Sequence, residues 1–121
     1  MEMKSVNLKL DYHFPPGLEL RGPDGSPCTP IETTKELIRG CFTLNHREMD
    51  EDTARLYRDL CIALEEADFV LKLDQSVFDR LHKESHQCKV WPGGPYSFSA
   101  PTMIDELDRV KYGREILREA Q

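Results

Sequence analysis

Residues 50–87 read DEDTARLYRDLCIALEEADFVLKLDQSVFDRLHKESHQ, and apolar side chains recur in the first half of this segment at steps of three and four. That spacing places them on one face of an α-helix. Asp50 is a good N-cap, and Glu51 and Asp52 complement the partial positive charge of a helix N-terminus. The segment therefore predicts a helix that reaches about Ala67. Its buried face comprises Tyr57, Leu60, Cys61, Leu64 and Ala67.

The second half of the segment predicts a short strand and a further helix. Residues 69–73 (FVLKL) are rich in strand-forming side chains, and their number is typical of a strand rather than a helix. Asp74 then caps a helix over about 75–86. The buried side of this helix would carry Val77, Phe78 and Leu81.

The N-terminal region predicts a small β structure over about residues 4–27. Apolar and polar residues alternate from Val6 to Tyr12, as in a half-buried strand. A second extended piece follows over 18–21, and the glycines and proline of 22–25 are typical of a tight turn. We expect a β-hairpin or a small antiparallel sheet. The strand over 69–73 either pairs with it or simply links two helices.

Two more helices complete the expected elements. Thr29 and Pro30 suit the N-cap and the first position of a helix that runs to about Asn45. Its apolar face would comprise Ile31, Leu37, Ile38, Cys41, Phe42 and Leu44. Pro101 suits the first position of the last helix, after an ordered loop over 89–100. The apolar face of the last helix would comprise Ile104, Leu107, Val110, Ile116 and Leu117.

The expected fold is α+β and mostly helical, with an N-terminal β-hairpin or small antiparallel sheet packed with about four helices. The 121 residues suffice for one hydrophobic core, so we expect a single domain over 1–121 with its helical region over about 29–119. Hydrophobic residues make up 39% of the chain and charged residues 31%, which is typical of a globular protein.

Composition and charge exclude several classes of function. A net charge of −6 argues against a nucleic-acid partner, because a phosphate backbone requires clustered Lys and Arg. No apolar run resembles a signal peptide or approaches the ~20 residues that cross a bilayer. Four widely spaced cysteines favour thiols in a reducing compartment. We therefore expect a cytoplasmic protein that binds another protein, without nucleic acid, membrane or cofactor, and with homodimer formation through an exposed strand as one possibility.

The best metal candidates are His82, His86 and Cys88, because two histidines four residues apart share one helix face and a cysteine follows. A tetrahedral zinc site would need a fourth ligand from the remaining cysteines. The chain lacks the Cys-x-x-Cys pair of most structural zinc modules and the His-Glu-x-x-His order of metalloproteases. The alternative is that both histidines continue the line from Phe78 into solvent, and we predict no bound metal.

No residue is predicted to be catalytic. A nucleophilic cysteine needs partial exposure and a nearby base or helix N-terminus. Cys41 and Cys61 fall on expected apolar helix faces, whereas Cys28 lies beside the start of the first helix, where no base can be paired with it from sequence. Gly93 and Gly94 lack the Lys-Ser/Thr that a phosphate-binding loop requires. A small metal- or thiol-dependent enzyme is kept as an alternative function.

Two features predict binding of a protein partner. Trp91, Tyr96 and Phe98 lie in a loop stiffened by proline and glycine, and such aromatic residues often anchor interfaces. The alternative is that these rings fold back over the core as a lid. The second feature is the acidic second helix. Its candidate binding residues are Glu51, Asp52 and Asp59.

Five short segments along nearly the whole chain carry a family resemblance. They are Leu8-Lys9-Leu10, Asp24-Gly25-Ser26-Pro27, Arg55-Leu56-Tyr57-Arg58-Asp59-Leu60, Val70-Leu71-Lys72-Leu73-Asp74 and Tyr96-Ser97. Their order resembles a group of small uncharacterised proteins of tailed bacteriophages and prophages. The resemblance implies an accessory or assembly protein that acts through protein contacts in the bacterial host cytoplasm, and it brings no catalytic residue. The alternative is a phage inhibitor of a host defence or transcription complex that binds through the acidic helix.

Overall fold

The structure is a computed structural model that describes residues 3–88, 91 and 93–113. These residues form two strands and four helices. The elements are β1 (Met3–Asn7), α1 (Pro30–Asn45), α2 (Glu51–Glu66), β2 (Val70–Asp74), α3 (Gln75–Gln87) and α4 (Pro95–Tyr112). The expected α+β, mostly helical fold is confirmed. None of the helices in the described part of the chain is both long enough and apolar enough to cross a bilayer.

Three helices begin at the caps that the sequence predicts. The Thr29 hydroxyl accepts a hydrogen bond from the Glu32 N–H at 3.1 Å, and the Glu32 carboxylate accepts one from the Thr29 N–H. The carboxylates of Asp50 and Asp74 each accept a hydrogen bond from the backbone N–H three residues further on. These bonds stabilise the charged form and lower the pKa of both carboxyl groups.

β1 and β2 form an antiparallel sheet in which Val6 lies opposite Leu71. β1 begins and ends earlier than the strand that the alternation over 6–12 predicts. One residue beyond β1, the Leu8 N–H still donates to the Phe69 carbonyl at 2.9 Å. Alternate side chains of the two strands point inward, as a half-buried sheet requires. The buried ones are Val6, Leu71 and Leu73, and Leu8, one residue beyond β1, is buried beside them.

Beyond Leu8 the chain turns onto α1 rather than continuing as a strand. The Thr34 hydroxyl donates to the Leu8 carbonyl at 2.7 Å and lies 2.6 Å from the Tyr12 hydroxyl. Burial raises the pKa of Tyr12 to about 12. Because a helix side chain takes the Leu8 carbonyl, strand pairing ends here.

The extended piece over 18–21 pairs with its own return chain and not with β1. Arg21 forms an isolated bridge with Pro27 across the predicted turn. Within that turn the Gly25 N–H donates to the Gly22 carbonyl at 3.0 Å, and Gly25 has φ of +84°, which favours glycine. The tight turn is confirmed. Of the two β alternatives, the small sheet is the one that forms.

The hydrophobic core lies between the inner face of the sheet and the four described helices. Phe42 of α1 and Phe78 of α3 are its largest fully buried side chains. The expected inward residues of α1 and α3 are confirmed for the most part, but Leu44 is 41% exposed because it lies beyond the last buried turn of α1. The buried apolar helix residues include Leu37, Ile38, Cys41, Leu60, Leu64, Val77, Leu81, Met103 and Leu107.

α4 begins at Pro95 and not at Pro101, so the predicted start of the last helix is wrong by six residues. Gly94, with φ of +81°, precedes Pro95, whose missing N–H costs nothing at the first helical position. Ser99 and Ala100 are buried, so core packing holds this turn in helical form and leaves Pro101 inside the helix.

The ordered loop expected over 89–100 is accordingly shorter. Residues 95–100 are helical, and residues 93 and 94 form the turn before them. Residues 89, 90 and 92 lie outside the described residues. So do two members of the expected apolar face of the last helix, Ile116 and Leu117.

Candidate functional site

A cleft with a volume of about 440 Å³ opens between the turn region that precedes α1, α1 itself and the first turn of α4. We call it the Tyr96 cleft. The side chains that line it include Leu20, Pro23, Cys28, Lys35, Arg39 and Tyr96. Tyr96 is one of the aromatic residues that the sequence predicts to bind a partner. The structure places it in the wall of a concave surface.

The aromatic residues around the cleft divide into a packed pair and an exposed ring. The Trp91 and Tyr96 rings stack with centroids 6.3 Å apart, and both pack against the core. A Cβ placed on Gly40 of α1 would lie 3.4 Å from Cζ3 of Trp91. Phe98, by contrast, is 49% exposed. Trp91 and Tyr96 thus cover α1 as in the lid alternative, and Phe98 faces outward.

The walls of the Tyr96 cleft carry both signs of charge. Arg39 donates to the Glu36 carboxylate at 2.6 Å, and Lys35 donates to the Ala67 carbonyl at 2.8 Å. Burial, followed by the charge of Glu36, raises the pKa of Tyr96 and keeps its hydroxyl protonated. The cleft therefore offers a neutral phenol beside paired charges.

The thiol of Cys28 lines the same cleft but is not activated. Burial, then the charges of Glu32, Glu36 and Asp24, raises its pKa. Both causes oppose the thiolate form that a helix N-terminus would favour. Cys28 thus lacks the low pKa of a reactive cysteine.

The two histidines named by the sequence come together with an aspartate. Nε2 of His82 lies 2.7 Å from Oδ1 of Asp108, and Nε2 of His86 lies 2.6 Å from the same oxygen. One possible ligand atom from each of the three side chains lies within 4.8 Å of the other two. Among the described residues, these three side chains are the group of His, Cys, Asp and Glu whose ligand atoms lie close enough together that they could hold a metal ion.

Cys88 is not part of this group, although the sequence names it beside the histidines. It follows α3 as its C-cap and is buried. Burial, followed by the nearby Cys88, raises the pKa of the Cys41 thiol in α1. α3 ends before Cys88, so the helical spacing that joins the two histidines does not extend to the thiol.

Asp108 is not among the residues that the sequence pattern indicates as metal ligands. It lies 22 residues beyond His86, and only the packing of α3 against α4 brings the two together. One signal was present: Asp108 directly follows Leu107, which is buried, so it borders the inward face of its helix.

The three acidic candidates on α2 are all exposed, as a charged binding surface requires. Two of them have cationic neighbours: Arg55 pairs with Glu51, and Arg58 lies 3.2 Å from Asp59. The third, Asp52, follows Glu51 in the first turn of α2. The pairing reduces the negative field that this helix presents.

Comparisons of the chain with protein-family models, curated proteins and solved structures found no match. The resemblance to phage and prophage proteins therefore stays a prediction.

Proposed function

We propose that the chain is a non-enzymatic protein-binding module that takes an extended segment of a partner protein into the Tyr96 cleft. The single observation that carries the proposal is the cleft itself, about 440 Å³ in volume, with the nominated Tyr96 in its wall. A concave surface of this size accommodates a few side chains of a bound peptide.

The chemistry of the walls supports a polypeptide ligand. Leu20, Pro23 and Tyr96 supply apolar surface, while Lys35 and Arg39 supply donors at the margin. Tyrosine and arginine are enriched among the residues that contribute most to interface affinity. A partner segment with an apolar side chain next to a charged one would contact both the apolar and the charged residues of the cleft.

The stiffness of the cleft also supports the proposal. The Trp91 and Tyr96 rings are stacked on each other and on α1 at Gly40, and backbone hydrogen bonds close the turn over 22–25. A wall that is already ordered loses little conformational entropy when a ligand binds. Phe98, half exposed two residues after Tyr96, extends the apolar surface outward.

The expected setting follows from the sequence. In the phage interpretation the partner would be a virion-assembly or host protein, and binding would take place in the bacterial cytoplasm. That setting is compatible with Cys28, Cys41 and Cys61, which are free thiols.

Selection of peptides from a random displayed library tests the proposal, followed by fluorescence anisotropy with the selected peptides. Arg39→Ala should weaken binding about fivefold, the loss of roughly 1 kcal/mol that marks a contributing interface residue. Arg55→Ala is the matched control, because Arg55 also forms a pair within its own helix but lies on α2. Tyr96→Ala should weaken binding further, with a thermal melt to verify folding.

Two results would overturn the proposal. One is that no peptide binds at submillimolar concentration. The other is that Arg39→Ala, Tyr96→Ala and Arg55→Ala all bind the selected peptides as tightly as the unmodified protein.

A further inference from the structure

His82, His86 and Asp108 form a compact set of metal-ligand atoms between two helices. The histidines lie four residues apart on α3, so their rings share one face, with centroids 4.7 Å apart. Asp108 projects from α4, and its Oδ1 lies within hydrogen-bond distance of Nε2 of both rings. Two imidazoles and one carboxylate are a ligand set that binds zinc in proteins.

The packing around the set holds it in place. Lys111 of α4 donates to Asp79 of α3 at 3.0 Å, one helical turn away from the His82 contact. The Phe78 ring stacks on His82 at 6.3 Å, and the Tyr112 ring meets His82 edge-on at 5.9 Å. Ligand atoms fixed from two packed helices require little reorganisation on metal binding.

The set is also open to solvent. The His86 side chain is 48% exposed, whereas those of His82 and Asp108 are 13% and 21% exposed. An ion can therefore enter from the His86 side. Asp105, one turn before Asp108 on α4, contributes a second carboxylate to the local field.

We propose that His82, His86 and Asp108 bind one zinc ion, with the fourth position open to water or to a ligand from outside the set. This site is separate from the Tyr96 cleft and does not depend on the proposed peptide binding. Ligand bonds of about 2.0–2.2 Å in a tetrahedron place ligand atoms roughly 3.4 Å apart. The present separations of 2.6 and 2.7 Å would therefore open by less than about 1 Å on binding.

Binding displaces the hydrogen-bonded protons between the rings and the carboxylate. Each Nε2 must offer its lone pair to the metal, so each neutral imidazole binds as the tautomer that carries its proton on Nδ1. The bound ion would join α3 to α4 more firmly than the shared hydrogen bonds do.

Zinc titration of chelator-treated protein by isothermal calorimetry tests the site. We expect one ion per chain and a higher melting temperature in the presence of zinc. Loss of an outer-shell partner alone costs about 10- to 100-fold in metal affinity, so loss of a ligand in His86→Ala should cost at least as much. Asp108→Asn should also weaken binding.

The matched control is His13→Ala. His13 is a strongly exposed histidine whose ring lies 3.4 Å from the Asp11 carboxylate, so its loss should leave zinc affinity unchanged. Cobalt substitution provides a second readout. Ligation by nitrogen and oxygen produces visible d–d bands without the near-ultraviolet thiolate band that a cysteine ligand would add.

Three outcomes would overturn the proposal. They are absence of zinc binding at micromolar concentration, an affinity that His86→Ala does not change, and a cobalt spectrum with a thiolate band. If zinc does not bind but Asp108→Asn lowers the melting temperature, the three side chains are a hydrogen-bonded clamp between α3 and α4.

Discussion

Nε2 of His46, just beyond the end of α1, lies 2.9 Å from Oε2 of Glu84, a carboxylate buried in α3. Asn45 donates to the other carboxylate oxygen at 2.8 Å, and Arg80 donates to Oε2 at 2.7 Å. Arg80 also donates to Thr53, near the start of α2, at 3.0 Å. The buried Glu84 carboxylate bonds to α1 directly and to α2 through Arg80, so it connects three helices. Its loss should therefore lower the stability of the whole fold.

Glu84→Gln should destabilise the protein by about 2 kcal/mol. The amide retains the shape of the side chain but gives up its charge-assisted hydrogen bonds, each of which contributes about 1.5–3 kcal/mol. Urea unfolding at neutral pH measures the difference. Glu66→Gln, at the exposed C-terminal end of α2, is the control and should change little. Equal losses in the two variants would show that the buried network adds nothing.

The same carboxylate predicts a pH dependence of stability. Burial pushes the pKa of Glu84 up, but hydrogen bonds from Asn45, His46 and Arg80 outweigh burial and lower it below its usual 4.5. A depressed folded-state pKa stabilises the fold above the unfolded value, and this stabilisation is lost as the pH falls through the folded value. The gap in unfolding free energy between the unmodified protein and Glu84→Gln should therefore narrow below about pH 4.5. A constant gap down to pH 3 would contradict this assignment.

Helix capping predicts a smaller effect at the β2–α3 junction. Asp74→Ala removes the acceptor of the Val77 N–H and should cost about 1 kcal/mol. Asp74→Asn retains an acceptor at the same position and should cost much less. Chemical denaturation of the three proteins measures both values, and equal costs for the two substitutions would exclude capping as the cause.

The helix starts of α1, α2 and α3 could be predicted because capping is local. Thr29, Asp50 and Asp74 each bond a backbone N–H only three residues away. Each of these bonds forms within one turn of helix, so it does not depend on how distant parts of the chain pack. The start of α4 could not be fixed in this way, because Pro95 and Pro101 both suit a first helical position and the burial of neighbouring residues decides between them.

Pairings between residues far apart in the chain could not be predicted from the sequence. β1 pairs with residues 70–74, so the alternation over 6–12 identifies a strand but not its partner or its limits. The metal-ligand set depends on the same kind of information. His82 meets Asp108 while Asp79 meets Lys111, so α3 and α4 run antiparallel, and this register is visible only once the two helices are packed.

Neutralising the acidic face of α2 distinguishes the two proposed binding surfaces. The triple variant Glu51→Gln, Asp52→Asn and Asp59→Asn should bind peptides selected for the Tyr96 cleft as tightly as the unmodified protein, because none of these residues lines the cleft. Fluorescence anisotropy over a range of salt concentrations measures this. Weaker binding with a flatter salt dependence would instead assign the interface to α2 and favour the phage-inhibitor alternative.

Gly40 should tolerate a methyl group but not a larger side chain. The added Cβ of Gly40→Ala would meet Cζ3 of Trp91 at 3.4 Å, an ordinary van der Waals contact, and alanine favours a helix by about 1 kcal/mol over glycine. Gly40→Ala should therefore stabilise the protein by up to about 1 kcal/mol in urea unfolding. Gly40→Leu should displace the ring, cost about 1–3 kcal/mol and shift the emission of Trp91, the single tryptophan, to longer wavelength. Thr43→Leu, at an exposed position of α1, is the control, and an unshifted emission in Gly40→Leu would mean that Trp91 does not pack on α1 in solution.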